Sequence, residues 1–190
     1  MAALAKQRGL SIHLDGARVF NAAVALGIDV RELTRGADSL SFCLSKGLSA
    51  PVGSVVCGSS EFIAEARRTR KVLGGGMRQA GIIAAAGIIA LQQMVERIVE
   101  DHQNARRLAE GIARIRGLSI DPARVQTNII YFEVATDRLT AQKLVAELSE
   151  RGIKLLCVGP SRLRMVTHYG ISSEDIDLAL AGLAEIMANV

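Results

Sequence analysis

The fold is decided by a short stretch near the start of the chain, Ser11-Ile12-His13-Leu14-Asp15-Gly16. It has the pattern of a short apolar strand that runs into a carboxylate and then a glycine. A helical stretch follows from Ala17 to about Leu26, and Gly27 closes it. Short helical segments are also expected at 1–8, ending at Gly9, and at 29–35, ending at Gly36. Strand-like runs at 39–44 and 53–57 are again separated by helices or loops. This alternation predicts α/β architecture.

The pattern changes after residue 96. We expect residues 1–96 to be part of a large sheet domain and residues 97–190 to be a separate small α+β domain. The elements expected after Gly53 are helices at 61–72, 79–91 and 95–115, a strand at 129–134, a helix at 141–151, strands at 154–158 and 163–167, and a helix at 173–188 opened by Ser173.

Composition narrows the class of protein. The net charge is +4, the chain has four Phe, two Tyr and no Trp, and its basic residues are mostly spread among acids. A nucleic-acid binder would concentrate basic side chains beside stacking aromatic rings, so this class is not favoured. One dense basic cluster occurs, and it is either a solvated helix end or a phosphate or subunit contact. Its members are Arg67, Arg68, Arg70 and Lys71.

The location of the protein can also be predicted. The longest apolar stretch, residues 80–91, is shorter than the roughly 20 residues that a membrane-spanning helix needs. The three cysteines are widely spaced without a CxxC pair or a zinc pattern, and residues 1–10 lack the apolar core of a signal peptide. We therefore expect a cytoplasmic protein without a metal site and without contact to a membrane.

Two strand ends carry the candidate chemistry. Asp15 follows the first predicted strand. Lys46 follows the next predicted strand and lies between the small residues Ser45 and Gly47. In open α/β sheets the carboxyl ends of the strands face the crevice that binds ligands. A lysine that forms an imine and an acid that keeps a pyridine nitrogen protonated are the two groups that pyridoxal phosphate requires. Arg18 and Arg164 could each offer a planar fork to a substrate carboxylate.

Each of these residues also has an ordinary structural interpretation. An aspartate at a strand end often caps the following helix, a lone lysine usually lies on the surface, and Arg164 could be a surface ion-pair partner. His13 and His168 are interpreted as packing or hydrogen-bonding residues rather than catalytic bases. His102, in a polar helix, is expected to be exposed.

The combination of motifs is more specific than any single residue. Four blocks stand out along the chain: His13-Leu14-Asp15-Gly16-Ala17-Arg18 with Asn21-Ala22-Ala23, Ser41-Phe42-Cys43-Leu44-Ser45-Lys46-Gly47-Leu48 with Ala50-Pro51-Val52-Gly53-Ser54, Gly74-Gly75-Gly76-Met77-Arg78-Gln79-Ala80-Gly81, and Arg164-Met165-Val166-Thr167-His168. Taken together and in this order, they closely resemble low-specificity L-threonine aldolases, which are pyridoxal-phosphate enzymes of fold type I. The resemblance covers essentially the whole chain.

The resemblance implies a role for several residues. Lys46 would carry the internal aldimine with pyridoxal 5'-phosphate, and Asp15 would pair with the pyridine nitrogen. Arg18 and Arg164 would hold the substrate carboxylate, Arg18 lying also beside the cofactor. Lys71 and Arg78 match basic positions near the cofactor or a partner subunit. The implied reaction cleaves L-threonine or L-allo-threonine to glycine and acetaldehyde, in a homo-oligomer such as a dimer or tetramer.

The resemblance also implies what this sequence lacks. Residues 1–96 would be part of the large cofactor-binding domain, with the strands near residues 11, 41 and 54 as one portion of its larger parallel sheet. Residues 97–190 would be the small C-terminal domain. The family members are much longer, and their first half contributes the phosphate cup, the ring-stacking histidine and much of the sheet. We therefore expect exposed apolar surface and an unpaired sheet edge here. The alternatives are a non-catalytic remnant that oligomerises, or another fold type I enzyme such as a β-eliminating lyase or an aminotransferase.

Overall fold

The chain forms two compact units. The computed structural model describes residues 2–190, with the first unit ending at Ile98 and the second spanning Val99–Val190. The assignment of the two units to the domains of a larger enzyme, with a boundary after residue 96, stays a prediction.

The first unit contains five helices and three strands among its described residues. All the expected elements up to residue 93 are present, with ends shifted by a few residues. They are α1 Ala2–Gln7, β1 His13–Asp15, α2 Val19–Leu26, α3 Val30–Leu33, β2 Ser39–Cys43, β3 Ser54–Gly58, α4 Ser60–Val72 and α5 Gly81–Gln93.

The sheet of the first unit is mixed rather than parallel throughout. β1 and β2 are parallel, with Asp15 opposite Ser41, whereas β2 and β3 are antiparallel, with Cys43 opposite Ser54. The prediction of a wholly parallel set of strands is therefore wrong for β3. The reason is the length of the connection, since a parallel pair needs a crossover of a dozen or more residues, usually helical. Residues 44–53 form only a short loop without a helix.

Local sequence explains where the elements of the first unit begin and end. Gly27 ends α2 in the left-handed conformation at φ 65°, and its N–H bonds back to the carbonyls of the last turn. The Asp29 side chain accepts from the Arg31 N–H at the start of α3, and Ser59 accepts from the Phe62 N–H at the start of α4. These polar side chains satisfy backbone donors that the first helical turn leaves without partners.

The core of the first unit is small. Seven buried side chains form it: Val19, Phe42, Leu44, Leu48, Ala50, Ala90 and Ile98. Several large apolar side chains of the same unit lie outside it, and Ile82 is 90% exposed, Leu73 79% and Val72 77%. The expected exposure of apolar surface is therefore confirmed. Within the three-stranded sheet, β1 and β3 are the edges.

The second unit is an α+β structure. Its four-stranded antiparallel sheet has the order β4-β5-β7-β6. The two-residue strand β4 and the short 3-10 turn after it were not expected, because two residues carry no readable periodicity. The elements are α6 Ile98–Ile112, β4 Leu118–Ser119, the 3-10 turn Pro122–Arg124, β5 Ile129–Val134, α7 Ala141–Glu150, β6 Leu156–Cys157, β7 Arg162–Val166 and α8 Ser173–Ala188.

Alternation along the strands builds a well-developed core in the second unit. In β5, Ile130, Phe132 and Val134 are buried while Tyr131 and Glu133 face out. Helices α6, α7 and α8 contribute apolar side chains to a cluster of 21 buried residues that includes this strand. One face of the sheet is therefore covered by helices, and the face that carries Tyr131 is open.

Two details of the helices refine the sequence interpretation. The cap of α8 is Ser172 rather than Ser173, and Ser172 and Asp175 form a reciprocal capping box.

Within residues 2–190, no single helix has the length and apolar content needed to cross a membrane. Helices α5 and α6 have the required length and apolar content only when they are counted as one segment that is bent at the break between them.

Candidate active site

Asp15 lies at the carboxyl end of β1. It is exposed, and its Oδ1 accepts a hydrogen bond from the Ala17 N–H at 3.3 Å. The first residue before α2 is Arg18, which makes no side-chain capping bond. Asp15 is therefore not the cap of that helix, and its one hydrogen bond lies in the turn that precedes α2.

Gly16 holds this strand end close to β2. Its N–H donates to the Ser41 carbonyl at 2.8 Å. A Cβ at position 16 would lie 3.0 Å from the same oxygen and 3.1 Å from Val19 Cβ. Glycine is the residue that allows this approach, so the carboxylate of Asp15 is fixed at the edge where β1 and β2 end side by side.

Lys46 lies in the loop that leaves the carboxyl end of β2. The loop is closed by backbone hydrogen bonds from the Ala50 N–H to the Leu44 carbonyl at 3.0 Å and from the Ser49 N–H to the Lys46 carbonyl at 2.9 Å. Ser49 adopts φ 59°, a left-handed conformation uncommon for a residue other than glycine. Lys46 itself is exposed. The loop that carries Lys46 thus has a hydrogen-bonded backbone and follows β2, the strand that pairs with β1.

Asn21 connects the lysine loop to helix α2. Its side chain is buried, and a Cβ at Gly47 would lie 2.5 Å from Asn21 Oδ1. Only a glycine fits beside Asn21, so the residue after Lys46 is pressed against the helix that begins after Arg18. The sequence motif that contains Asn21 predicted no role for this residue. A polar residue on the inner face of an otherwise apolar helix is the signal that could have identified it.

Helix α5 supports the lysine loop from the other side. The missing Cβ of Gly87 would lie 2.9 Å from Leu44 Cδ1, and that of Gly53 would lie 3.7 Å from Ile83 Cγ2. Small residues at these positions let the helix and the loop pack closely. Along the backbone, Asp15 ends β1, Arg18 directly precedes α2, and Lys46 follows β2, the strand parallel to β1.

Lys71 and Arg78 flank the glycine triplet that follows α4. Both are exposed, and Lys71 lies in the last turn of the helix. A Cβ at Gly76 would lie 2.7 Å from Lys71 Cδ, so the stem of this lysine packs over the triplet. No contact described here joins either residue to Asp15 or Lys46, and their link to a cofactor stays a prediction.

Arg164 lies in the second unit, in the middle of β7. It pairs with Tyr131 of β5 on one side and with Leu156 of β6 on the other. The side chain is half-buried, and its Nε is buried without a hydrogen-bond partner within residues 2–190. A buried donor without a partner costs free energy unless an acceptor arrives, so Arg164 is suited to an external carboxylate.

The end of β7 is held by Asn128 and Thr167. Asn128 Nδ2 donates to the Thr167 carbonyl at 2.8 Å, and the Thr167 N–H donates to the Asn128 carbonyl at 3.0 Å. Thr167 Oγ1 also donates to the Asp101 carbonyl at 2.6 Å. Asn128 was not predicted from the sequence, although its position as a polar residue directly before an apolar strand is a signal that could have identified it. These bonds fix the backbone that follows Arg164.

The histidines take structural roles. His13 Nδ1 and Ser39 Oγ are 2.9 Å apart, and His168 Nδ1 is 2.8 Å from the Tyr169 carbonyl. His102 is half-buried in α6, not exposed as expected, because the helix packs onto the core of the second unit. Burial lowers the pKa of His102, while Asp101 opposes this shift.

Comparison with known proteins identifies the family. A family model described as beta-eliminating lyase matches residues 1–135. The chain belongs to this family. Within it, the chain is 45% identical over 185 residues to low-specificity L-threonine aldolase 1 of Arabidopsis thaliana, a match of 97% of this chain and 52% of that protein. It is 43% identical over 171 residues to the low specificity L-threonine aldolase of Escherichia coli K12, covering 90% of this chain and 49% of that protein.

The predicted resemblance to threonine aldolases is thus confirmed, and the chain spans about half the length of the curated relatives that it matches. The solved structure of a candidate L-allo-threonine aldolase from Listeria monocytogenes superimposes with a TM-score of 0.80. It is 18% identical and covers 97% of this chain and 54% of that chain. This likeness confirms the predicted fold class, fold type I.

The residues of this beta-eliminating lyase family member fit the cofactor that the fold implies. Asp15 and Lys46 supply a carboxylate and an amine at the ends of two neighbouring parallel strands. The glycines Gly16 and Gly47 beside them leave no room for a Cβ, so the backbone around both groups is closely packed. This donor set matches an amine for the aldehyde and an acid for the ring nitrogen of pyridoxal phosphate.

Proposed function

We propose that this chain supplies the lysine-bearing part of a pyridoxal-phosphate-dependent aldolase that cleaves L-threonine and L-allo-threonine to glycine and acetaldehyde. The observation that carries the proposal is the placement of Asp15 and Lys46 at the carboxyl ends of the adjacent parallel strands β1 and β2. The identity to low-specificity L-threonine aldolases supports the substrate class.

Lys46 and Asp15 would hold the cofactor. Lys46 is the amine that would bind its aldehyde carbon, and the rigid loop around Lys46 limits the search that the side chain must make. Asp15 would accept a hydrogen bond from the protonated ring nitrogen and keep it charged. When bound, pyridoxal phosphate supplies an electron sink for the pair released by the Cα–Cβ bond.

Arg18 and Arg164 would orient the substrate. A guanidinium holds a carboxylate through two parallel hydrogen bonds, and this pairing fixes the orientation of the amino acid. The buried Nε of Arg164 gains an acceptor when a carboxylate binds. The orientation decides which bond at Cα breaks. The hydroxyl proton and acetaldehyde leave, and protonation of Cα gives glycine.

Several further assignments belong to the same proposal. Lys71 and Arg78 contact the cofactor or a partner subunit, residues 1–96 are part of the cofactor domain, and residues 97–190 are the small domain. The protein acts in the cytoplasm as a homo-oligomer. The exposed apolar side chains of α5, such as Ile82, support an association that covers them.

A second candidate reaction is β-elimination, which the description of the matching family favours. The same lysine and aspartate would serve it, because both reactions need the electron sink. The two are separated by products, since elimination from serine gives pyruvate and ammonia. A third possibility is a remnant without activity. A test must therefore distinguish two sets of products and their absence.

The test of the proposed function adds the part of the relatives' length that this chain does not cover. The chain is joined to the segment of the Arabidopsis relative that the match leaves uncovered, loaded with pyridoxal phosphate, and assayed with threonine, allo-threonine and serine. We expect glycine and acetaldehyde in equal amounts from threonine or allo-threonine. Asp15→Asn should reduce kcat strongly, and Gln142→Asn, a change of an exposed residue of α7 outside the proposed site, should leave it unchanged.

Each alternative has its own outcome. Pyruvate and ammonia from serine without glycine from threonine would replace the aldolase proposal by the elimination. No product from any substrate, from a protein that is folded by circular dichroism and binds the cofactor, would favour the remnant.

A further inference from the structure

The second unit contains a cleft that the proposed active site does not use. It lies between the end of α6, the segment that follows β5 and the last turns of α8, and its volume is about 800 Å³. Pockets for small molecules are typically roughly 300–1,000 Å³, so the cleft is large enough for one. Asp15, Lys46 and Arg164 do not line it.

One wall of the cleft is apolar and closely packed. Ile115, Met187 and Val190 line it. A Cβ at Gly117 would lie 2.6 Å from Met187 Cε, and Gly117 has φ 87°, where other residues are strained. The Gly117 carbonyl accepts from the Ala135 N–H at 2.8 Å. A backbone hydrogen bond and the close packing of Met187 on Gly117 thus hold this wall in place.

The polar side of the cleft is positively charged. Arg114, Arg116 and Arg138 line it, and no acidic side chain does. Arg138 Nη1 donates to the Val190 carbonyl at 2.9 Å, which orients this guanidinium. Positive groups gathered over low-dielectric walls attract anions more strongly than the same charges spread over a surface.

The arginines of the cleft differ from others in the same unit. Arg107 pairs with Asp177 at 2.7 Å, and Arg151 pairs with Glu185 at 2.5 Å. Within residues 2–190, Arg114 and Arg116 form no salt bridge to an acidic side chain, and neither do they make a side-chain hydrogen bond. Their charge is therefore uncompensated at the place where the cleft opens.

We propose that this cleft is a binding site for a small organic anion that carries a phosphate or carboxylate group on an apolar body. Arg114 and Arg116 bind the anionic group through charge-assisted hydrogen bonds, whereas Arg138 is already engaged by the main-chain oxygen of Val190. The apolar body packs on Ile115 and Met187. The proposal is independent of the aldolase function, because it uses none of the same residues.

The test measures binding of phenyl phosphate, inorganic phosphate and benzyl alcohol to the full chain by titration, followed by NMR of the amides of Gly117 and Thr136. We expect saturable shifts with phenyl phosphate, weaker ones with inorganic phosphate, and none with the neutral alcohol. R114Q/R116Q should weaken phenyl phosphate binding by at least tenfold. R8Q/R35Q, which removes the same charge from exposed positions outside the cleft, should leave it unchanged.

Three results would overturn the proposal. Equal weakening in both double variants would show attraction by net charge alone. Equal affinity for phenyl phosphate and inorganic phosphate would show that the apolar body of the ligand contributes nothing to binding. Shifts that do not saturate, or that occur at amides away from Gly117 and Thr136, would leave the cleft without a ligand. Circular dichroism of each variant separates a loss of binding from a loss of folding.

Discussion

At the scale of single residues, Gly47 is the position where local geometry constrains the site most directly. Gly47→Ala places a methyl group 2.5 Å from Asn21 Oδ1, and Asn21 is only 2% exposed and cannot move away easily. We expect the change to destabilise the first unit by about 1–3 kcal/mol. Gly81→Ala is the control, since its Cβ meets nothing within 4 Å. Urea titration followed by NMR of β2 amides measures both, and equal effects would contradict the contact.

Asp29 gives a prediction on pH dependence at the same scale. A hydrogen bond from the Arg31 side chain is the main cause that lowers the pKa of Asp29 from 3.8 to about 2. A lowered acid pKa means that the stabilising effect is present above the unfolded value and is lost as the pH falls from 3.8 towards about 2. Arg31→Gln should raise the pKa of Asp29 towards 3.8 in an NMR titration. Arg35→Gln should not change it, and an Asp29 pKa that stays at about 2 in Arg31→Gln would refute the pairing.

At the scale of elements, the capping box of α8 gives a measurable contribution to stability. Ser172 Oγ accepts from the Asp175 N–H at 3.2 Å, and Asp175 Oδ2 accepts from the Ser172 N–H at 2.8 Å. Ser172→Ala should lower the free energy of unfolding of the second unit by about 1 kcal/mol, because a donor loses its partner. Ser149→Ala, at an exposed position in α7, should cost nothing. Urea denaturation of both variants tests the pair, and an unchanged stability of Ser172→Ala would contradict it.

The elements also show what sequence can predict. Helices α2 and α7 were placed to within two residues because Gly27 and Gly152 mark their ends. The direction of β3 was wrong because strand direction follows from how the connection runs in space, and apolar patterning is the same for both directions. The strand-end positions of Asp15 and Lys46 could be predicted from the chain. The contact between Gly47 and Asn21 could not, because it joins residues brought together only by folding.

At the scale of the whole molecule, the two units differ in how completely each is formed. The second unit has 21 buried residues in its core cluster, whereas the first, of similar length, has seven. Burial of apolar surface is the main favourable contribution to folding. Residues 99–190 should therefore fold alone, with dispersed NMR spectra and cooperative unfolding. Residues 1–98 alone should unfold over a broad range of urea, and the reverse behaviour would contradict this assignment of the cores.

The central claim is that Lys46 is the residue that holds the cofactor, and one measurement tests it most directly. The chain, joined to the segment of the Arabidopsis relative that it does not span, is loaded with pyridoxal phosphate, reduced with borohydride, digested and mapped by mass spectrometry. We predict one phosphopyridoxyl group, on the peptide that contains Lys46, and its loss in Lys46→Arg while Lys71→Arg keeps it. A label on Lys71, or one spread equally over all the lysines, would contradict the account.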